Sequence, residues 1–191
     1  SQGRYIEAGR AFEALGSFRQ ALSAYSEAKA WADAARVCER DGKPDKAIQY
    51  YKQARQPAEA ARLLDAAERF EEAGMAFAEA ADFARAAAAF EAEAKRLHGR
   101  GAPPAQLQKA VRWSALYHGK SGNPRRAAQL LHAAGEPIKA AETLSGAGLH
   151  VEASQIYLQL GMKREAIDTL IRADRVVEAG RICEEEDEYL Y

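Results

Sequence analysis

The sequence predicts an all-α protein built as a solenoid of short antiparallel helix hairpins. An alanine recurs every thirteen residues along most of the 191-residue chain, and a bulky side chain follows it four positions later. Glycine often stands eight positions after the alanine, and proline or an aromatic residue ten positions after it. Such self-similarity at a fixed period is the signature of a repeat architecture. The alanines are Ala8, Ala21, Ala34, Ala47, Ala60, Ala73 and Ala86, then Ala127, Ala140, Ala153, Ala166 and Ala179.

Each repeat unit reads as one helix of about ten residues and a short turn. Residues 0, +4 and +7 share one helical face, as Ala21, Tyr25 and Ala28 do. The glycine suits a left-handed residue that ends a helix, and proline is tolerated in a first helical turn. A helix of about 15 Å does not hold alone in water, so each helix must stack on its neighbours. We predict that the bulky residues are core side chains, among them Tyr25, Tyr51, Phe77 and Phe90.

A second period of 26 residues groups the helices in pairs. Arginine stands two positions after the first, third and fifth of these alanines, at Arg10, Arg36 and Arg62. The residue directly after the alanine also alternates between small and larger side chains. We therefore predict hairpins at about 5–30, 31–56 and 57–82.

The paired pattern resembles the tetratricopeptide-like family of helical-hairpin repeats. The second helices carry the family's alanine, aromatic and alanine, and the first helix carries Gly9 three residues before Phe12. The unit departs from the family in length, with 26 residues against about 34 in the common repeat. It is more similar to the short hairpins of coat and intraflagellar-transport solenoids. On this resemblance we expect a right-handed α-solenoid. The second-helix matches are Ala21/Tyr25/Ala28, Ala47/Tyr51/Ala54 and Ala73/Phe77/Ala80.

An interruption between Ala86 and Ala127 divides the chain into three expected parts. A first array covers 1–82, a longer divergent hairpin covers 83–119, and a second array with a terminal cap helix covers 120–191. The long hairpin has a loop at Gly99–Pro104 and is expected to protrude, either as a divergent repeat or as a joint or docking ridge. The sequence predicts about thirteen helices, and an odd number leaves one helix outside a hairpin. This suggests either a piece of a longer protein or a free helix that serves as a cap. The acidic, aromatic tail after Cys183 is either a solvated end or a partner-binding segment.

Composition excludes several classes of partner. A net charge of −1 and a pI near 6.4 give no basic footprint for nucleic acid. No apolar run approaches the length of a membrane span, so we expect no direct membrane insertion. The two cysteines, Cys38 and Cys183, both occupy the bulky position and are expected to be buried, unpaired and reduced. We therefore expect a cytoplasmic protein.

No motif for catalysis stands out. The sequence lacks a phosphate loop, a nucleophile elbow, a metalloprotease pair and a paired-cysteine metal site. The four histidines share no ligand spacing. We expect no enzyme activity, no cofactor and no metal.

The arginine series is the one periodic polar feature and the candidate partner-binding site. In the family, this position of the first helix faces the concave groove, where an arginine could hold carboxylates of an acidic peptide. Acidic residues three positions later offer the competing interpretation of self-paired surface charges. The family's carboxylate clamp is not supported, because the residues three before Gly9, Ala35 and Ala61 are apolar. The candidate residues are Arg10, Arg36 and Arg62 with Glu13, Glu39 and Asp65.

We therefore expect a non-enzymatic scaffold that binds a protein or peptide partner on the solenoid surface. Two alternatives are a regulatory module that gates an attached signalling domain and a structural element of a coat or transport assembly. The sequence leaves the oligomeric state open.

Overall fold

The computed structural model describes residues 2–188, with side chains described through Glu184. Within that range the chain forms thirteen consecutive α-helices and no strand, so the all-α prediction is confirmed. Nine of these helices are ten residues long, and the two longest, α7 and α8, have 17. The helices are α1 (Gln2–Ala14), α2 (Phe18–Glu27), α3 (Trp31–Arg40), α4 (Pro44–Gln53), α5 (Pro57–Ala66), α6 (Phe70–Glu79), α7 (Phe83–Gly99), α8 (Pro104–Lys120), α9 (Pro124–Ala133), α10 (Pro137–Gly146), α11 (His150–Gln159), α12 (Lys163–Arg172) and α13 (Val176–Glu188).

The turns between helices repeat one backbone motif. After α1, the Gly16 N–H donates to Glu13 O and the Ser17 N–H donates to Phe12 O, at 3.0 and 2.9 Å. Gly16 has a φ of +70°, so this is the Schellman ending in which a left-handed residue satisfies the last helical carbonyls. The bulky residue of the repeat thus supplies its side chain to the core and its carbonyl to the turn.

The left-handed conformation persists where the sequence has no glycine at that position. Ala81, for example, has a φ of +58°; its N–H donates to Ala78 O, and the Asp82 N–H donates to Phe77 O. The turn is therefore imposed by the packing of the helices around it, and glycine only makes it less strained. The other non-glycine residues with positive φ are Lys29, Arg55, Glu68 and Asp174.

Helix starts follow the predicted residues. Proline opens α4, α5, α8, α9 and α10, and phenylalanine or tryptophan opens α2, α3, α6 and α7. Asp82 caps α7, because its Oδ1 accepts a hydrogen bond from the Arg85 N–H at 3.1 Å. The ten helices α2 to α6 and α8 to α12 have no side-chain capping bond. The starts of those ten helices thus depend on the preceding turn and on packing.

The structure divides into two compact units, Ser1–Ala89 and Phe90–Tyr191. From α1 to α6, each helix packs on the next, with α1 against α2, α3 against α4 and α5 against α6 as the predicted hairpins. The repeat alanines from Ala21 to Ala86 are fully buried, and the aromatic Tyr25, Tyr51 and Phe77 fill the space between helices. The prediction that the bulky residues are core side chains is confirmed at these positions.

The second unit has a core of its own. Phe90 stacks on Trp113 and Tyr117 of α8, with ring centroids 5.9 and 5.7 Å apart. Alanines and leucines of α9 and α10 continue this core to Tyr157 of α11. The division into two arrays joined by the 83–119 hairpin stays an interpretation, since the compact units meet within α7.

The expectation for Cys183 is wrong. Cys38 is buried and unpaired as predicted, whereas Cys183 is unpaired but exposed. Cys183 lies on α13, and no later helix among the described residues covers its face. The side chains of the acidic run from Glu185 onward, and all of Tyr189–Tyr191, lie outside the described residues, so the tail interpretation stays a prediction.

Candidate functional site

A groove of about 610 Å³ opens between α3 and α5 in the first unit, and we call it the α3–α5 groove. The predicted site residue Arg36 lies on its α3 wall. The opposite wall is the first turn of α5, where Pro57 fixes the start of the helix. The lining residues are Ala32, Asp33, Arg36, Tyr51, Gln56, Pro57, Ala58, Glu59 and Ala80.

Arg36 is held in place by a buried carboxylate of the preceding hairpin. Its Nη1 lies 2.5 Å from Glu13 Oε1, and its Nη2 lies 2.7 Å from Asp33 on its own helix. Arg40 reaches the same Glu13 oxygen at 2.7 Å, and the Tyr25 hydroxyl donates to the other oxygen at 3.0 Å. Glu13 is only 7% exposed at its side chain, whereas Arg36 is 48% exposed. The buried charge is compensated by three donors, and the arginine keeps about half of its surface in water.

The same arrangement recurs one hairpin later. The Tyr51 hydroxyl donates to Glu39 at 2.5 Å, and Arg62 of α5 lies 2.6 Å from the second carboxylate oxygen. Burial alone would raise the pKa of Glu39, but the hydrogen bonds from Arg62 and Tyr51 outweigh burial and lower this pKa. Burial, followed by the bond to Glu39, raises the pKa of Tyr51. The tyrosine therefore stays a neutral donor at physiological pH.

The expected ion pairs within one helix are not the ones that form. The expectation paired each arginine with the acidic residue three positions after it. In the structure, each glutamate instead binds the arginine 23 positions later, on the first helix of the next hairpin. The arginines also bind the acidic residue three positions before them, at Asp33 and Glu59. Each glutamate reaches toward the next hairpin because the tyrosine of its own hairpin, Tyr25 or Tyr51, donates a hydrogen bond to it.

Two of the predicted site residues stand outside this network. Arg10 is exposed and has no ion pair among the contacts of residues 2–184. Asp65 is exposed, and the residue twelve positions after it is Phe77, which has no hydroxyl. The position that would supply an arginine is Ala88. The arrangement of glutamate, tyrosine and arginine therefore occurs at Glu13 and at Glu39 but not at Asp65.

Sequence reasoning missed the tyrosine hydroxyls and Arg40. The available signal was the shared spacing of twelve residues from Glu13 to Tyr25 and from Glu39 to Tyr51. Spacing along one helix gives only the neighbours on that helix, whereas the 26-residue period also implies neighbours from the next hairpin.

Two other kinds of site find no support in the described part of the chain. No group of three or more histidine, cysteine, aspartate or glutamate side chains there could hold a metal ion. No helix of that part combines the length and apolar character that a membrane crossing requires.

One hairpin of the chain matches a known protein family. The sequence model of the family described as tetratricopeptide repeat matches residues 28–54, which contain α3 and α4. No curated protein shows significant similarity to the chain. The matched hairpin contributes Arg36 and Tyr51 to the groove described above. This match and the thirteen consecutive helices of residues 2–188 fit the tetratricopeptide-like helical repeat family.

Proposed function

We propose that the chain is a non-enzymatic scaffold that binds a protein or peptide partner in the α3–α5 groove. Tetratricopeptide repeats are generally protein–protein interaction modules. The observation that supports this groove is the half-exposed guanidinium of Arg36 on the groove wall, which is fixed by the carboxylates of Glu13 and Asp33. A guanidinium held in one geometry loses little side-chain entropy when it binds a carboxylate or a backbone carbonyl.

The six predicted residues take different roles in this proposal. Arg36 contacts the partner, and Glu13 acts through it as a positioning residue. Glu39 positions Arg62 in the same way, at the next repeat along the first unit. Arg10 and Asp65 are exposed and available for direct contacts at the two ends of the series.

We place this function in the cytoplasm, with a protein partner in preference to a nucleic acid. The unpaired cysteines are compatible with a reducing compartment. A net charge of −1 offers little attraction for a phosphate backbone.

Site-specific photo-crosslinking tests the location of the binding surface. A photoreactive residue replaces Ala58, which is exposed on the groove wall, or Gln20, which is exposed on α2 and serves as the control. We expect a partner from cell extract to crosslink through position 58 and not through position 20. Crosslinking through position 20 alone would place the partner elsewhere and contradict the proposal.

A conservative substitution then tests the role of Arg36 on the identified partner. Arg36→Lys keeps a cation beside buried Glu13 but removes the planar fork of donors. We expect the affinity for the partner to fall about five- to tenfold while Arg19→Lys, on exposed α2 surface, leaves it unchanged. Equal affinities of both variants would show that Arg36 is only structural.

A further inference from the structure

The helix α13 repeats a sequence of the first helix, α1. Residues 7–13 of α1 read EAGRAFE, and residues 178–184 of α13 read EAGRICE, so five of the seven positions are identical. The two segments occupy the same place in the thirteen-residue period, because Ala8 and Ala179 are both repeat alanines. The contacts of α1 therefore indicate which kind of side chain the matching face of α13 fits.

In α1 this face holds a tyrosine of the neighbouring helix α2. A Cβ built at Gly9 would lie 2.6 Å from the Tyr25 ring, closer than a real Cβ comes to a neighbour, so the ring packs directly on the glycine backbone. The Tyr25 hydroxyl donates to Glu13 at 3.0 Å. Ile6 and Phe12 pack against the same cluster. Glycine and glutamate four positions apart thus form a socket for one tyrosine.

The same face of α13 is open. The residues that correspond to the socket, Gly180 and Glu184, are both exposed, and a Cβ built at Gly180 meets no atom of the described residues within 4 Å. Val177 is 73% exposed and Cys183 is exposed, although they correspond to packed apolar residues of α1. In other helices of the repeat the residue at the place of Gly180 is buried, namely Ala35, Ala61, Ala128 and Ser154.

The charge at the end of α13 favours a basic occupant. Residues 184–188 are all acidic. In α1, the guanidinium groups of Arg36 and Arg40 from α3 compensate the charge of Glu13. A helix that carries lysine or arginine beside its tyrosine would supply the same compensation to Glu184.

We propose that the open face of α13 is a docking site for a basic, tyrosine-bearing helix of a partner protein. The tyrosine ring would lie on Gly180, its hydroxyl would donate to Glu184, and the bound helix would remove Val177 from water. An alanine four positions before the tyrosine, as Ala21 precedes Tyr25 in α2, lets the two helices approach closely. This inference goes beyond the proposed function, because α13 lies in the second unit and shares no residue with the α3–α5 groove.

Fluorescence anisotropy with a defined peptide tests the proposal on the full chain. The probe is a fluorescein-labelled synthetic peptide with the sequence of residues 15–30, which contains α2 and its tyrosine. A covalent staple joins the positions of Ser23 and Glu27, which are exposed in the chain, and holds the peptide helical. Two comparison peptides replace the tyrosine with phenylalanine or with alanine.

The three peptides should differ in affinity because each loses a different part of the tyrosine contact. We expect the probe to bind with a Kd of about 100 μM or tighter. The phenylalanine peptide should bind about three- to fivefold more weakly because it lacks the hydroxyl, and the alanine peptide about tenfold or more weakly. No binding of the probe, or equal binding of either comparison peptide, would overturn the proposal.

Matched variants locate the binding on α13. Gly180→Leu fills the place of the tyrosine ring and should weaken binding about tenfold or more, whereas Gly146→Leu, at a helical glycine that is equally open, should not. Glu184→Gln should weaken binding about three- to fivefold, and Glu79→Gln, on exposed α6 surface, should leave it unchanged. Circular dichroism confirms that each variant is folded. An equal loss in the controls would overturn the assignment to α13. So would unchanged binding to Gly180→Leu, which would show that the peptide exchanges with α2 on α1.

Discussion

Glu13 shows how a charge is kept inside a helical repeat. A carboxylate that is 7% exposed would cost several kcal/mol without partners. Arg36 and Arg40 supply the opposite charge, and the Tyr25 hydroxyl satisfies the second oxygen. The two arginines belong to α3 and the tyrosine belongs to α2, so the Glu13 carboxylate of α1 links three helices.

Removing the Tyr25 hydroxyl should therefore destabilise the protein more than its small size implies. We expect Tyr25→Phe to lower the free energy of unfolding by about 1–3 kcal/mol, because one oxygen of buried Glu13 loses its donor. Tyr157→Phe is the control, since that hydroxyl has no hydrogen bond among the described contacts of the second unit. The control should change stability by less than about 0.5 kcal/mol. Urea unfolding measures both, and equal effects would contradict the role of the Glu13 bond.

The lowered pKa of Glu91 predicts that the stability of the second unit depends on pH. Burial would raise its pKa, but hydrogen bonds from Arg126, Lys95 and His118 outweigh burial and lower the pKa of Glu91 to about 2. The folded-state pKa thus lies below the unfolded value near 4.5. The stability that Glu91 contributes is therefore complete above about pH 4.5 and is lost as the pH falls toward about 2.

The variant Glu91→Gln isolates this contribution. We expect the difference in unfolding free energy between the native chain and Glu91→Gln to shrink by about 2–3 kcal/mol between pH 6 and pH 2. Denaturant unfolding at several pH values in that interval measures it. The paired difference is needed because Glu72, Asp82 and Glu136 also have lowered pKa values. A difference that does not change with pH would show that Glu91 is not held as an anion by its three partners.

At the scale of one element, the turn after each helix is the most regular feature. Gly148 ends its turn with a φ of +78°, whereas Gly146 is the last residue of α10 and is not among the residues with positive φ. A Cβ built at either glycine meets no atom within 4 Å. The two positions therefore differ in backbone conformation alone, and they form a matched pair.

Replacing glycine with alanine should change the stability in opposite directions at these two positions. Gly148→Ala should destabilise the protein by about 1 kcal/mol, because an alanine is strained in the left-handed region. Gly146→Ala should stabilise it by about 0.4–1 kcal/mol, because glycine loses more entropy in a helix than alanine does. Thermal and urea unfolding of the two variants check the signs. Two effects of the same sign would show that the turn at Gly148 is set by something other than its φ.

The helices could be predicted from the sequence because every unit repeats the same signals. Pro44 and Pro57 mark helix starts, and Gly42 marks a helix end, where proline and glycine have strong local preferences. The site could be predicted only in part. The choice between Glu39 and Glu13 as the partner of Arg36 depends on which side chains cross the hairpin boundary, and spacing along one helix does not decide that.

At the scale of the whole molecule, the helix packing within each unit is mainly between consecutive helices, whereas ion pairs such as Glu13–Arg36 reach the second helix along the chain. Consecutive helices supply the packing in each unit, as expected for a repeat protein whose stability is nearly a sum of local interfaces. A core substitution should then loosen its own neighbourhood and leave distant helices protected. This differs from a globular core, where one cavity weakens the entire fold.

Amide hydrogen exchange tests this locality with one substitution in each unit. Phe77 is 3% exposed and Leu144 is 4% exposed, so Phe77→Ala should cost about 3–5 kcal/mol and Leu144→Ala about 2–5 kcal/mol. We expect Phe77→Ala to speed exchange in α5 and α6 but not in α11, and Leu144→Ala to speed it in α10 and α11 but not in α4. Leu158→Ala, on a side chain that is 39% exposed, should change little. Faster exchange throughout residues 2–184 after either core substitution would show one global cooperative unit, because loss of a single interface would then unfold every helix together.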